Sequence, residues 1–341
     1  MEFGPFDPEL IAGARNAIAT CLAVQPGERV ALIVDEACRE IGASLAAAVT
    51  EANARWTGYV IENLTTRPMI DPPEEIMRAL EACDVGILCV HPREGELSTR
   101  MRIVAAVEQR QIRYAHMVGV TPAIMQQGMR ADYRLVDRLS ERLRDRMRTA
   151  QRLEVRTDAG TEIAATFDAA LAWVKTSGLI NRRYWSNLPA GEVFTTPASV
   201  DGTFVCNATV GDYFGSKFGD LSAAPMVLRI ERGRLVEATC PRRDVEREFW
   251  AYCHGDENSD RVGELAFGTN LGLTQMIGVL LQDEKYPGVH LAFGDPYGSQ
   301  TGAAWSCRTH VDVLTRDCDV WVDGSPIIEK GRYLLDQLGL D

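Results

Sequence analysis

Arg29-Val-Ala-Leu-Ile-Val34 is a short apolar run rich in β-branched residues. Such a run is the pattern of a strand buried on both faces. Ala37 to Ala54, rich in Ala, Leu and Glu, follows it and reads as a helix. Thr57-Gly-Tyr-Val-Ile61 is a second strand. Pro72-Pro73-Glu-Glu-Ile-Met-Arg-Ala-Leu-Glu81 opens with prolines where a helix start tolerates them and continues with helix formers. Val85 to Val90 is a third strand and Ser98 to Arg110 a further helix. Strands alternating with helices imply parallel pairing through right-handed crossovers, hence an open, mostly parallel α/β sheet. No GxGxxG opens any of these helices, so the fold by itself does not call for a dinucleotide.

Beyond this region the pattern changes. Asp132 to Arg152 reads as a long charged helix linking two halves, with a solvated or interface-facing surface. After it come short, turn-punctuated segments: Leu153–Thr157, Glu162–Thr166, Met226–Ile230 and Leu235–Ala238. Asp158-Ala-Gly160 and Glu231-Arg-Gly233 sit between such runs as hairpin turns. The expected architecture is an N-terminal α/β domain over 1–150. A β-rich α+β domain over 151–341 follows it and carries the metal chemistry. No internal repeat or low-complexity tract interrupts the chain.

The 341 residues give room for a sizeable core in each domain. Hydrophobic residues make up 46% and charged residues 25%, as in ordinary globular proteins. The net charge of −12 argues against a general nucleic-acid binder, whose affinity comes mainly from phosphate neutralisation by Lys and Arg. No apolar stretch approaches the roughly 20 residues needed to span a bilayer. Residues 1–8 show no basic region followed by an apolar run, so no secretory signal is expected. Nine scattered cysteines form no CxxC pair, which argues against a zinc ribbon. A reducing cytoplasm is the expected location.

Candidate ligands concentrate in the second half. His290 lies between glycines in Gly288-Val-His-Leu-Ala-Phe-Gly294, where backbone can approach a site closely. His310 and Asp312 stand two apart in Thr309-His-Val-Asp312, which on a strand puts imidazole and carboxylate on one face. A lone His is more often a hydrogen-bonded structural residue than a ligand. Glu192 and Glu264 each follow a Gly and precede an apolar run, so both are candidates for burial. A buried charge must be paired or metal-bound to be tolerated; the plainer alternative is a Glu at a strand end with its head in water. His254, before Gly255, reads as a helix-end residue. Cys206 and Cys307 have no His within motif reach, which argues against a cysteine nucleophile.

These residues belong to a series of motifs. Leu188-Pro-Ala-Gly-Glu-Val-Phe-Thr-Thr-Pro197, Gly263-Glu-Leu-Ala-Phe-Gly-Thr-Asn270, Asp283-Glu-Lys285, His290-Leu-Ala-Phe-Gly294, Thr309-His-Val-Asp312 and Asp323-Gly324 follow one another along the chain. Together they resemble the series of the aminopeptidase T family of thermophilic metallo-aminopeptidases over roughly residues 130–331. The resemblance implies a two-metal site on Glu192, Glu264, His290, His310 and Asp312, with Glu264 bridging and closest to the chemistry. It places the family's active-site tyrosine on Tyr297, and Glu284 either as a further ligand or as a support for His290. Three carboxylates and two neutral imidazoles around two divalent ions leave about +1, against about −1 around one ion. Oxygen and nitrogen donors without sulfur suit Zn, Co or Mn.

The implied activity is hydrolysis of the N-terminal residue of short peptides by metal-activated water. The expected partner is a short peptide or small amide, with no nucleic acid and no membrane, in a homodimer or higher homo-oligomer. Asp283, Glu284 and Asp295 are candidate partners for the substrate ammonium. Two alternatives share the fold. One is an amide hydrolase acting on a non-peptide small molecule. The other resembles 2,5-dihydroxypyridine dioxygenase, a ring-opening enzyme with one non-haem iron held by two His and one Asp. In that branch a His matches the position of Glu264, so Glu here favours the hydrolase.

Overall fold

The structure is a computed structural model and describes residues 3–340. Strands β1 (Arg29–Val34), β2 (Arg55–Val60), β3 (Val85–Val90) and β4 (Arg113–Val118) form an all-parallel sheet in the order β2-β1-β3-β4. The two-residue strand Ser186–Asn187 extends it beside β4. The open α/β fold class expected from the alternation is what forms. Central position explains the sequence: β3 is buried at every residue and β1 at all but its first, whereas β2 is partly exposed. The connecting helices run Arg39–Glu51, Glu74–Ala82 and Leu97–Arg110.

By internal contact the chain divides into two units, Met1–Arg134 with Ser177–Ala190, and Leu135–Thr176 with Gly191–Asp341. The second unit is built on two sheets. An eight-stranded antiparallel sheet includes Arg152–Arg156, Glu162–Thr166, Ser199–Cys206 and the Met226–Glu231/Arg234–Thr239 hairpin. The other, of five strands, carries the candidate site. Within the helix Tyr133–Met147 the charged surface is only one side. Leu139, Leu143 and Met147, at helical spacing, are buried in the core of the second unit. Asp137 and Glu141 on the same helix pair with Lys175 at 2.8 Å each. Among the described residues no helix is long and apolar enough to cross a membrane. All nine cysteines are free thiols.

Candidate metal centre

The five-stranded sheet runs in the order His310–Leu314, Gly288–Gly294, Val262–Gly268, Glu192–Thr195 and Val174–Thr176, every neighbouring pair antiparallel. Its register sets Glu192 opposite Gly268, His290 opposite Ala266, and Ala292 opposite both Glu264 and Asp312. His310 lies opposite Gly294. Side chains alternate across a strand, and directly paired residues share a face. Glu192, Glu264, His290, His310 and Asp312 therefore project from one face, with Ala or Gly opposite them leaving room. The other face holds Leu265, Phe267, Leu291, Phe293, Val311 and Val313, all packed in the core of this unit. Hydrophobic burial thus fixes the strands from behind while the polar residues converge in front.

Local backbone refines the aim. The register shifts by a bulge between Val262 and Glu264, at Gly263. A Cβ at Gly263 would meet the carbonyl oxygen of Gly294 at 2.2 Å, so only glycine permits the approach that brings the Glu264 strand against the turn after Gly294. The next carbonyl in that turn, Asp295, accepts a hydrogen bond from His310 Nδ1 at 3.0 Å. That bond leaves Nε2 as the nitrogen available to a ligand.

Glu192, Glu264, His290 and Asp312 are buried, each at most 6% exposed. His290 Nε2 lies 3.2 Å from Glu192 Oε1, 3.9 Å from Glu264 Oε1 and 3.8 Å from Asp312 Oδ1. Yet it makes no hydrogen bond among the described residues. His310 Nε2 lies 3.7 Å from Glu264 Oε2 and 3.6 Å from Asp312 Oδ1. The charges strain one another. Burial, then the neighbouring Glu192 charge, push the Glu264 carboxyl well above its usual range. Burial raises Glu284 to about 8. Burial is also the largest single influence on Glu192, but the Lys285 and His290 side chains together outweigh it and lower Glu192 to about 2. His310 is disfavoured as a cation by burial but raised to about 10 by Asp312 and Glu264.

Closely spaced buried carboxylates ionise together only with cations among them. With an unpartnered imidazole nitrogen aimed into them, they fit a divalent ion with O and N ligands. Among the described residues two groups have donor atoms close enough to hold one, Glu192–Glu284–His290 and Glu264–His290–Asp312. All five residues expected as ligands are brought together, and Glu284 joins them. Tyr297 closes the site edge, its ring centroid 4.7 Å from that of His310. Its backbone is left-handed (φ 49°), and the residue as a whole is 36% exposed. A non-glycine residue held in that region costs free energy, and such positions cluster at functional sites. Beside it lies a cavity of about 440 Å³ lined by Asp295, Tyr297, Ser299, Ala303 and Trp305.

Asp283 is not free for a substrate. It is buried and accepts from Thr209 Oγ1 at 2.6 Å and from the Ile277 and Gly278 N–H groups at 2.8 Å each. His254 caps its helix end, with Nδ1 bonded to the Trp250 carbonyl at 2.9 Å. Lys285 is the residue sequence reasoning passed over. Its ammonium is buried between Glu192 Oε2 at 2.9 Å and Glu284 Oε1 at 2.7 Å. Residues 106–324 match the family described as thermophilic metalloprotease (M29), a span that includes every candidate ligand.

The chain belongs to the M29 metalloprotease family. For this M29 chain, membership carries metal-dependent peptide hydrolysis as the family activity and a divalent metal as its requirement. No curated protein matches the sequence significantly. Among solved structures the fold is similar to wild-type AmpT from Thermus thermophilus, with a TM-score of 0.67 and 16% identity over 96% of this chain and 99% of that one. It is equally similar to 2,5-dihydroxypyridine dioxygenase from Pseudomonas putida KT2440, with a TM-score of 0.67 and 16% identity over 95% of this chain and 96% of that one. At such identity the likeness establishes the M29 fold in this chain and leaves the chemistry to its own residues.

Proposed function

We propose that the chain is a metal-dependent aminopeptidase that removes the N-terminal residue of short peptides. The single observation that carries this reading is the sheet face on which Glu192, Glu264, His290, His310 and Asp312 converge around the unpartnered His290 Nε2. These residues would hold the metal. A bound divalent ion of Zn, Co or Mn supplies Lewis acidity at the scissile carbonyl and makes water nucleophilic near neutral pH.

The protein's own groups do the rest. Asp295 O holds His310 Nδ1–H and so fixes the ring that presents Nε2. Glu264, on the same face as the metal-holding residues, takes a proton from the attacking water and delivers it to the leaving amine as the C–N bond breaks. Tyr297, at the exposed edge, donates its hydroxyl hydrogen to the developing oxyanion. The cavity beside it takes the leading residue of the peptide. There the Asp295 carboxylate faces the substrate ammonium and Trp305 forms a wall for the side chain.

A site built to pair a free ammonium is left with an unpaired carboxylate when that amine is blocked. Aminoacyl amides with a free α-amine should therefore be cleaved about 100-fold or more faster than their N-acetylated forms. Equal rates would leave a metal-dependent amide hydrolase and remove the aminopeptidase. Oxygen uptake with a dihydroxypyridine ring under Fe²⁺, without amide cleavage, would point to the dioxygenase chemistry instead.

A further inference from the structure

The two donor groups are not independent. Both require His290, and both require the same atom, since Nε2 is the nitrogen that lies near Glu192, Glu264 and Asp312. An imidazole nitrogen has one lone pair and binds one ion. Whichever ion takes Nε2 leaves the other group a donor short. The group Glu264–His290–Asp312 has a replacement nearby, because His310 Nε2 is within 3.7 Å of both of its carboxylates. The group Glu192–Glu284–His290 has no second imidazole among the described residues. What it has is Lys285.

Lys285 lies in the core of the site. The residue is 3% exposed, and its Nζ sits 2.9 Å from Glu192 Oε2 and 2.7 Å from Glu284 Oε1. One ammonium thus spans the two carboxylates that a second ion would need. Its backbone is pinned as well. Lys285 N–H donates to the Gln282 carbonyl at 2.9 Å, and the Lys285 carbonyl accepts from Asn270 N–H at 3.0 Å. The 285–286 segment presses on the Val262–Gly268 strand where a Cβ at Gly268 would come within 2.0 Å of the Tyr286 carbonyl oxygen. A buried ammonium with two carboxylate partners is costly to evict, because removal strands one charge or the other. Glu192 keeps its second oxygen, Oε1, directed at His290.

We infer that this chain holds one divalent ion, on Glu264, His290, His310 and Asp312, and that the Lys285 ammonium takes the place of a second ion by pairing with Glu192 and Glu284. The inference rests on the metal-dependent reading above and narrows it. Lys285 acts as a positioning residue: it keeps one oxygen of Glu192 and one of Glu284 occupied and supplies the positive charge that a second ion would bring.

The test is stoichiometric and needs no substrate. Full-length protein is stripped with chelator, titrated with Co²⁺, and followed by visible absorption and elemental analysis. The wild type should take up about one tight equivalent, and Lys285→Met, with the ammonium gone, about two. Lys285→Arg restores the cation and should return uptake to about one, which loss of stability alone would not do. Two tight equivalents in the wild type would overturn the inference while leaving a metalloenzyme. One equivalent in a folded Lys285→Met protein would also overturn it. Should Lys285→Met not fold, the wild-type and Lys285→Arg stoichiometries still decide. No tight Co²⁺ in the wild type would remove the metal reading itself, and this inference with it.

Discussion

In the proposed mechanism Glu264 is the residue on which the chemistry turns. It stands at a bulge, fully within the protein, in reach of both His290 and His310, and burial beside Glu192 raises its carboxyl pKa. Glu264→Gln keeps the shape and removes both the charge and the proton-carrying group. Turnover should fall by about a thousandfold or more, a barrier increase of about 4 kcal/mol, and metal content should fall with it. Steady-state rates and elemental analysis of the purified variant check both effects. Turnover within about threefold of wild type would reject the assignment. At this scale much was legible. His310 and Asp312 two apart on a strand predict a shared face, and Glu after Gly predicts a buried carboxylate. Lys285 was not legible, because a Lys following Asp-Glu looks like a surface run. Its burial depends on close approach at Gly268, which local sequence does not announce.

At the level of elements, strand centrality governs what can be read. β1 and β3 are continuous apolar runs because neighbours cover both faces, and they form where that signal places them. β4 begins with Arg113 and contains His116, so its composition hides a buried strand. His116 has a consequence for stability. It is 5% exposed and its Nδ1 has no partner among the described residues. Burial, with a smaller contribution from the Arg100 charge, holds it down at about 3, below its ordinary 6.5. Above pH 6.5 the ring is neutral folded or unfolded, and it contributes no pH dependence. Below that value the unfolded chain binds a proton that the folded chain refuses, so stability falls as pH drops from 6.5 towards 3. Between pH 7 and pH 5 this group should cost about 2 kcal/mol. Urea titrations of wild type and His116→Phe at the two pH values measure it. The variant should lose less stability on acidification by that amount, and equal losses would show that His116 is not the group responsible.

Across the whole molecule, the alternation of strand and helix followed by hairpins specifies a parallel sheet and then antiparallel ones, as found. The return of Ser177–Ala190 to the first unit rests partly on the two-residue strand Ser186–Asn187, too short to carry a periodic signal. Glu192 and His310 are far apart in sequence, and the motif order links them before any geometry is known. The sheet then explains most of the order, since four of the six motifs each supply one strand of a single face. Asp283–Lys285 instead ends a short helix, and Asp323-Gly324 turns between strands of the other sheet. That face as a metal centre is the central claim, and exhaustive chelation tests it most directly. Protein stripped of metal, with removal verified by elemental analysis, should lose its peptidase activity and recover it on addition of Zn²⁺, Co²⁺ or Mn²⁺. Full activity in verified metal-free protein would contradict it.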